Sequence, residues 1–415
     1  MKALYPHQPE GVTFLSERDR AYLADVMGLG KTIQAILAAV RTGARRVLVI
    51  APASTIPNWE REWAEWGSDA LFAAVSYSSQ KKLGLAERQD WDVVILDEAH
   101  YCKNPKAKRT KAALAIAAGA DRAWLLSGTP MPNHPAELFA PMQALWPDVL
   151  TQLGVSTYMQ WVDRFCQYKR ISYGRGWGQP SLKIFGAKNL DQLKPHMADI
   201  MLRRKTVEGL PPIRIHLSRL PKDAKFERAL VQTGVDAAAL QRAIDAEEAT
   251  DDQSASKLRR LMGEYKAPRI AFEIGKELED RAYPKIVVLA YHHAALDALE
   301  RGLSDFNPVG FRGSTPQAKR QEAIDLFTND ATYRVFIAQQ TAAGVGINLQ
   351  VASEIVLVEP AWSPDDNAQA IKRIHRIGQD VPCRARIFTV AGSLDEAIMG
   401  TLQRKLQMQR SLGLK

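Results

Sequence analysis

The stretch AYLADVMGLGKTIQAILAAV, residues 21–40, passes from an apolar run through a glycine-containing loop into a segment with helical periodicity. A phosphate-binding loop requires this order of strand, loop and helix, because backbone N–H groups and the helix N-terminus converge on the loop. In GLGKT (28–32) the glycines allow a close turn, Lys31 can reach terminal phosphates and Thr32 can bind Mg²⁺. The general pattern GxxxxGK[ST] has glycine where Asp25 stands, so the sequence departs from it at one position.

A second motif, DEAH (97–100), directly follows the apolar run VVIL. We expect Asp97 to hold Mg²⁺ through its water shell and Glu98 to orient and deprotonate an attacking water. Ligands of α/β sheets bind at the carboxyl ends of parallel strands, where such a pair would lie. An acidic strand end is often only a loop or helix cap. Together with GLGKT, however, DEAH predicts that this part of the chain binds and hydrolyses a nucleoside triphosphate.

Further apolar runs, each followed by turn residues and a helical pattern, predict buried parallel strands in both halves of the chain. They lie at 21–26, 46–52, 92–100 and 122–130 in the first half and at 285–293, 334–340 and 353–362 in the second. This repeated alternation of strand and helix predicts an α/β fold with two doubly wound parallel-sheet lobes.

The length of the chain and the change of sequence pattern along it predict where the lobes begin and end. At 415 residues the chain is too long for one ordinary core, so two lobes of roughly 200 residues are expected. Residues 140–215 lose the strand rhythm, and residues 222–280 are charged and helical in pattern. The predicted division is an N-terminal ATP-binding lobe at 1–139, a helical or irregular insertion at 140–215, a helical segment at 216–280 and a C-terminal lobe at 281–415.

Composition places the chain among globular proteins, with 46% hydrophobic and 24% charged residues. A formal net charge of +9 favours an anionic partner such as nucleic acid. The three cysteines form no CxxC pair, which argues for a reducing compartment and against a zinc site. No apolar run approaches a membrane span and the N-terminus has no signal-peptide core, so we expect a cytoplasmic protein without a membrane partner.

Near the C-terminal end the chain reads QAIKRIHRIGQ, residues 369–379. At 3.6 residues per turn, Gln369, Arg373 and Arg376 fall on one stripe of a predicted helix. Taken alone, such a stripe is typical of a solvated basic face. Whether the stripe instead contacts a bound anion depends on what the rest of the chain supplies for it to touch.

In the order of its motifs the chain resembles the Swi/Snf-type ATPases of helicase superfamily two, over almost its whole length. Their acidic residue before the phosphate loop matches Asp25. The matching segments are LYPHQPEGVTFL (4–15), DVMGLGKT (25–32), VLVIAPASTIPNWEREW (47–63), DEAHYCKNP (97–105), LLSGTPMPN (125–133), MLRRKTVEGLPP (201–212), GFRGSTPQAKRQEAIDLF (310–327), TAAGVGINL (341–349) and QAIKRIHRIGQ. RFCQYKR (164–170) with GWGQ (176–179) resembles the annealing-helicase branch of that family.

The resemblance implies RecA-like lobes that use ATP and Mg²⁺. Gln8 is then the adenine-reading residue, and Arg373 and Arg376 are arginine fingers that the second lobe supplies, with Gln369 reading the phosphate or the water. The implied catalytic residues are Lys31, Asp97, Glu98, Gln369, Arg373 and Arg376, and the implied metal ligands are Thr32 and Asp97. The implied nucleotide contacts are Gln8, Asp25, Met27, Gly28, Leu29, Gly30, Lys31, Thr32, Gly346, Arg373 and Arg376.

Nucleic-acid contacts are expected at strand ends and in one aromatic, cationic segment. YKRISYGRGWGQ (168–179) mixes rings with Lys and Arg as a nucleic-acid groove does, although it is equally typical of a surface loop. Ser127 and Thr129 are also expected to couple DEAH to the bound strand. Trp59, Trp63 and Trp66 share one helical face, which indicates core packing. The candidate contacts are Pro52, Ser54, Ser127, Thr129, Arg175, Trp177, Arg312, Gly313, Thr341 and Trp362.

The leading hypothesis is a DNA-stimulated ATPase that translocates on double-stranded DNA without sequence specificity and remodels DNA structures or protein–DNA complexes. One alternative is a strand-separating helicase. Another is a nucleotide-gated clamp or recruitment factor with little turnover, against which the intact site residues argue. Family patterns usually have Asn at Ser363 and an acidic residue at Lys372. The compact chain leads us to expect a monomer from a bacterial or virus-infected cell, without accessory domains.

Overall fold

The computed structural model describes residues 4–171, 181–204, 210–245, 252–342, 347–376 and 378–411. It divides the chain into two compact units, one formed by residues 1–208 with 405–415 and the other by residues 209–404. Cys102, Cys166 and Cys383 are buried free thiols. Among the described residues, no helix is long and apolar enough to cross a membrane.

The first unit is built on a parallel sheet with helices around it. Its described strands are β1 (Arg20–Leu23), β2 (Arg46–Ala51), β3 (Leu71–Ser76), β4 (Val93–Asp97), β5 (Arg122–Leu126), β6 (Cys166–Ile171), β7 (Ser181–Ala187) and β8 (Met201–Leu202). Its described α-helices are α1 (Gln8–Ser16), α2 (Lys31–Arg41), α3 (Ile56–Trp66), α4 (Gln80–Ala86), α5 (Lys108–Gly119), α6 (Phe139–Leu145), α7 (Pro147–Gln152), α8 (Tyr158–Phe165) and α9 (Leu190–Ile200). The sheet order is β3-β2-β4-β5-β1-β8, and β6 and β7 form an antiparallel hairpin.

Apolar side chains cover both faces of this sheet. In β2, Leu48 and Ile50 lie in one buried cluster, and Val47 and Val49 lie in another on the opposite face. Successive residues of a strand point to opposite faces, so a strand buried on both sides reads as a continuous apolar run. This explains why the sequence identifies the central strands.

The second unit repeats the architecture. Its described strands are β9 (Ile213–Leu220), β10 (Ile286–Ala290), β11 (Val309–Phe311), β12 (Val335–Gln339), β13 (Glu354–Leu357) and β14 (Cys383–Val390). Its described α-helices are α10 (Ala224–Gln232), α11 (Ala237–Asp245), α12 (Asp252–Glu279), α13 (His293–Gly302), α14 (Gln317–Asn329), α15 (Pro364–Ile371) and α16 (Leu394–Ser411), the last of which continues past the unit boundary. The strands form one parallel sheet in the order β11-β12-β10-β13-β14-β9.

All seven predicted strand runs contain a parallel strand, and the predicted fold class is confirmed. The region between the two sets of strands differs from the prediction. The insertion at 140–215 contains the β6–β7 hairpin as well as helices, and β9 occupies residues 213–220, where a helical segment was expected. Strand β9 lies at the edge of the second sheet beside β14, and most of its residues are exposed, so its sequence IRIHLSRL mixes apolar and polar residues instead of forming an apolar run. The second unit accordingly begins at residue 209.

Candidate active site

The loop between β1 and α2 has the conformation of a phosphate-binding loop. Gly28 and Gly30 have φ of 91° and 68°, in the left-handed region that favours glycine. Gly30 is the N-cap of α2, so the free N–H groups of the first turn face the loop. A side chain on Gly30 would collide with the buried Gln8 amide, and His7 Nε2 lies 3.0 Å from Leu29 O. The first helix therefore packs directly on the loop.

Lys31 lies at the start of α2 with its ammonium group directed back across the loop. Its Nζ donates to the main-chain oxygen of Asp25 at 2.9 Å. Burial lowers the pKa of Lys31, while the carboxylates of Glu98, Asp25 and Asp97 oppose that shift in descending order. The structure thus brings together Lys31, Asp97 and Glu98, which the sequence places on different strands and loops.

Asp25, the residue that departs from the general phosphate-loop pattern, is paired with Arg204. The carboxylate is fully buried, and the N–H and Nε–H of Arg204 each donate to Oδ1 at 3.0 Å. An Arg204 terminal nitrogen bonds Asp25 Oδ2 and also donates to Gln34 Oε1 at 2.6 Å. The Asp25 side chain is thus occupied by Arg204 and anchors the loop, and its contact with nucleotide stays a prediction.

Asp97 ends β4 with both carboxylate oxygens hydrogen-bonded. Oδ1 accepts from the N–H of Glu98 at 3.0 Å, and Oδ2 accepts from the Trp59 indole Nε1–H at 2.8 Å. The Tyr77 hydroxyl donates to its main-chain oxygen at 2.9 Å. Burial, and then the neighbouring Glu98 carboxylate, raise the pKa of Asp97 to about 6. A carboxylate so placed gains from a cationic ligand.

Glu98 lies in a polar cluster with residues of the SGTP loop (127–130). Its own φ is 48°, in the left-handed region, which turns its side chain away from the strand direction. Glu98 Oε2 lies 3.3 Å from His100 Nδ1 and 3.4 Å from the Ser127 hydroxyl. His100 Nδ1 also lies 3.1 Å from Ser127 Oγ and 3.3 Å from Thr129 Oγ1. A movement of the SGTP loop would therefore move groups that contact Glu98.

Ser127 and Thr129 are both buried beside DEAH. Ser127 is fully buried and Thr129 is 6% exposed, and both hydroxyls lie near His100 Nδ1. These contacts connect SGTP to DEAH, while the DNA contact expected of the two residues stays a prediction.

The segment that carries Arg373 and Arg376 is helical only in part. Helix α15 ends at Ile371, and main-chain bonds from Arg373 to Ala370 and from Ile374 to Ile371 continue as tight turns. The predicted single helical stripe is therefore wrong beyond Ile371. The Arg373 carbonyl accepts a hydrogen bond from Leu349 N–H at 2.9 Å, which ties this segment to the residues that precede β13.

Both guanidinium groups donate to main-chain carbonyls. Arg373 is 2% exposed and its Nη1 lies 3.4 Å from Ile347 O, while Arg376 Nε donates to Lys372 O at 2.9 Å. Desolvation lowers the pKa of Arg376 to about 10. Gln369 lies in α15 and is 8% exposed. The guanidinium group of Arg376 thus lies in surroundings that disfavour a desolvated charge.

The remaining predicted DNA contacts differ in accessibility. Ser54, Gly313 and Thr341 are exposed after the carboxyl ends of β2, β11 and β12, whereas Pro52 is buried and Trp362 packs against an apolar cluster. Arg312 is paired with Asp297 at 2.6 Å and Glu300 at 2.8 Å, which weakens its availability for a phosphate. Outside the described residues lie Arg175, Trp177 and Gly346.

Sequence reasoning missed three residues that the structure places in the site. Arg203 Nη1 donates to Ala24 O at 2.6 Å and Gly128 O at 3.2 Å, and so connects the phosphate loop to SGTP. Its neighbour Arg204 holds Asp25, and Trp59 holds Asp97. The Arg pair belongs to MLRRKTVEGLPP and Trp59 begins the Trp stripe, but the sequence contains no signal for their long-range partners.

Two family models together match most of the chain. The SNF2-related domain matches residues 7–87 and 75–267, and the helicase conserved C-terminal domain matches residues 271–378. The two matches follow one another along the chain, with the phosphate loop and DEAH in the first and both Arg373 and Arg376 in the second.

Relatives match the chain nearly from end to end. The SWI/SNF-related matrix-associated actin-dependent regulator of chromatin subfamily A-like protein 1 of Xenopus tropicalis is 30% identical over 99% of this chain and 45% of the relative. The DNA annealing helicase and endonuclease ZRANB3 of Bos taurus is 29% identical over 98% of this chain and 40% of the relative. The chain thus spans less than half the length of these curated relatives.

A solved structure is similar over the same extent. It is described as the Sulfolobus solfataricus SWI2/SNF2 ATPase core in complex with dsDNA, with 22% identity, a TM-score of 0.44, and coverage of 95% of this chain and 89% of that chain.

Proposed function

The chain belongs to the SNF2-related family of helicase-type ATPases, and on that premise we propose that it hydrolyses ATP and translocates along double-stranded DNA without sequence specificity. The observation that carries the proposal is the connection of the phosphate loop to DEAH: Arg203 donates to Ala24 O and Gly128 O, and the Ser127 hydroxyl lies 3.4 Å from Glu98. In this arrangement Lys31 binds the terminal phosphates, and Glu98 orients the attacking water and accepts its proton.

A Mg²⁺ ion fits the side chains of this site. Mg²⁺ retains several waters and is bound by one or two carboxylates together with substrate phosphates, so it needs no cage of protein ligands. Asp97, at the end of β4, and Thr32, in the first turn of α2, offer such a partial set. No group of three or more His, Cys, Asp or Glu that could hold a metal occurs in the described residues. The chemistry supplied by the ion is neutralisation of phosphate charge.

We assign Arg373 and Arg376 the role of arginine fingers. Guanidinium groups in such a role stabilise the charge of the phosphoryl-transfer transition state. The position of Arg376 supports this assignment, because its guanidinium group is desolvated and donates to the neutral Lys372 carbonyl, so a phosphate that approached it would stabilise its charge. If the fingers belong to one unit and the phosphate loop to the other, ATP binding and hydrolysis change the relation between the units, and DNA held by both would be moved.

Duplex DNA is the proposed partner on three grounds. The net charge of +9 favours a polyanion. Ser54, Gly313 and Thr341 expose hydroxyl and main-chain groups beyond the strand ends, and such groups contact phosphates without reading sequence. The relatives include a protein named DNA annealing helicase, which supports DNA structures or protein–DNA complexes as the objects of remodelling. We further propose that the protein acts as a monomer in the cytoplasm.

The decisive experiment measures ATP turnover with no nucleic acid, duplex DNA, single-stranded DNA and RNA. Turnover should rise most with duplex DNA, and the rise should fall steeply with added salt because phosphate contacts release counterions. Equally low rates in all four conditions would favour a nucleotide-gated clamp. Displacement of a triplex strand then tests translocation, and unwinding of a forked duplex identifies a strand-separating helicase.

A further inference from the structure

Trp59 lies on α3 with its indole ring fully buried and its Nε1–H directed at Asp97 Oδ2, 2.8 Å away. We propose that Trp59 is a positioning residue that fixes the plane of the Asp97 carboxylate for binding the nucleotide-associated divalent cation. The inference rests on the proposed function. It adds a residue from another helix to the site and assigns it a specific task.

The two hydrogen bonds to Asp97 define an orientation. The terminal torsion of an aspartate is broad, so a carboxylate at a strand end rotates unless donors restrain it. Glu98 N–H holds Oδ1 and the Trp59 indole holds Oδ2, so the two oxygens are fixed separately. An ionised carboxylate has about four acceptor sites, so two such bonds still leave lone pairs for a cation or its waters.

Core packing alone does not explain where the indole N–H points. Three other buried tryptophans donate to main-chain carbonyls: Trp91 to Ala86, Trp124 to Arg18 and Trp161 to Pro135, at 2.9, 3.0 and 2.9 Å. A buried indole N–H needs some acceptor, and a carbonyl is sufficient for the fold. Trp59 instead donates to the carboxylate of the DEAH motif. Its bond is charge-assisted and constrains a functional oxygen.

The test compares Trp59→Phe with Trp63→Phe. The first change removes the donor and keeps an aromatic ring. The second is a matched control, because Trp63 lies one turn later on α3, packs in the same cluster and stacks on Phe72 with ring centroids 4.5 Å apart. Calorimetric titration with ADP, in Mg²⁺ and in EDTA, measures how much the cation strengthens nucleotide binding without requiring turnover.

For Trp59→Phe we expect ADP affinity in EDTA to be unchanged and the Mg²⁺-dependent gain in affinity to fall about tenfold, the size expected for a hydrogen bond to a charged group. Trp63→Phe should retain the full gain. The inference is overturned if Trp59→Phe also retains the full gain, or if both variants lose it equally. A wild-type protein whose ADP binding ignores Mg²⁺ would instead overturn the proposed metal site itself.

A second measurement needs no substitution at Trp59 and covers the case in which Trp59→Phe does not fold. In ¹⁵N-labelled wild-type protein, the Trp59 indole N–H resonance is assigned by elimination using the other tryptophan variants. It should shift when ADP is added with Mg²⁺ and shift less with ADP in EDTA. An indole resonance that responds equally in both conditions would refute the positioning role.

Discussion

The two units hold their functional charges in different ways. In the first unit the carboxylates are tied to donors: Asp25 to Arg204, and Asp97 to Trp59 and Glu98 N–H. In the second unit, Arg376 donates to a carbonyl, and burial alone shifts its pKa. Arginines elsewhere in that unit pair with acids, as Arg384 does with Glu354 at 2.7 Å.

The difference separates a preorganised site from an incomplete one. A network of donors around a carboxylate fixes its geometry before any ligand arrives. A guanidinium group that is desolvated and bonded only to a carbonyl remains poorly compensated until an anion approaches. Under the proposed function, this contrast predicts that the first unit binds nucleotide on its own and that Arg376 acts only when a phosphate is presented to it.

Arg376→Ala should have the largest effect. We expect turnover at saturating ATP to fall by about 10³-fold or more, because an arginine finger acts on the transition state, while nucleotide affinity changes little. Steady-state kinetics and ADP titration measure the two quantities. Arg384→Ala, which removes a second-unit arginine that is paired with Glu354, is the control and should leave turnover nearly unchanged.

A loss of affinity in Arg376→Ala with preserved turnover at saturating ATP would contradict the finger role. It would also remove the contrast between the units, because Arg376 would then bind ground-state nucleotide as the phosphate loop does.

Glu98→Gln should reduce turnover by about 10²–10⁴-fold, the range for loss of a general base. ATP binding should persist, because the amide keeps the shape of the side chain and its contacts with Ser127 and His100. Single-turnover hydrolysis, together with equilibrium binding of ATP, checks both parts. Turnover near the wild-type rate would show that another group accepts the proton and that the first unit is not organised around Glu98.

Much of the fold follows from the sequence, because each central strand is an apolar run buried on both faces, as in β4 and β10. The predicted family is confirmed by the two domain matches. Residues held by distant partners were not predictable. Arg204 lies 179 residues from Asp25, and an apolar pattern reports that Trp59 is buried but not where its N–H points.

Local periodicity also failed at the end of α15. The spacing of Gln369, Arg373 and Arg376 is that of a helix, yet α15 ends at Ile371 and the Arg373 N–H bonds to Ala370 O in a tight turn. No pattern within residues 369–379 contains that information. The catalytic roles of these three residues stay predictions, and Arg376→Ala addresses that of Arg376.

Arg204→Ala should destabilise the first unit by about 3–5 kcal/mol, the cost of leaving a buried charge unpaired. Asp25 is fully buried, and beyond Arg204 its carboxylate accepts a long hydrogen bond of 3.4 Å from the Gln34 amide. Denaturant unfolding followed by tryptophan fluorescence measures the change. Arg122→Ala, which breaks an exposed pair with Asp19, should cost under about 1 kcal/mol.

The combination of Arg204→Met with Asp25→Asn sharpens this test. Removing both charges should recover part of the lost stability, since the penalty comes from the orphaned carboxylate and not from the missing attraction. Equal losses for the single and double variants would indicate that the Arg204 bonds to Gln34 and the first helix matter more than the ion pair.

The smallest predicted effect is a pH dependence that belongs to the first unit alone. The pKa of Asp97 is raised to about 6, and its carboxylate must be ionised to hold a cation. The value of kcat/KM for the free enzyme should therefore be level above pH 6 and fall about tenfold per pH unit below it, as for loss of one essential ionised group. Since Asp97 and Glu98 interact, the apparent pKa read from this acid limb of the kcat/KM profile belongs to the pair and not to one residue.

Stability should move in the opposite direction. The folded-state pKa of Asp97 exceeds its unfolded value of 3.8, so its contribution to stability is fully present below that value and is lost as pH rises through about 6. Asp97→Asn should thus stabilise the fold more at pH 7 than at pH 4 while abolishing turnover.

The Arg376 guanidinium, with a pKa of about 10, stays charged across this range. Arg376→Ala should therefore lower the whole profile without moving its acid limb, and a shifted limb in that variant would show that the two units do not titrate independently.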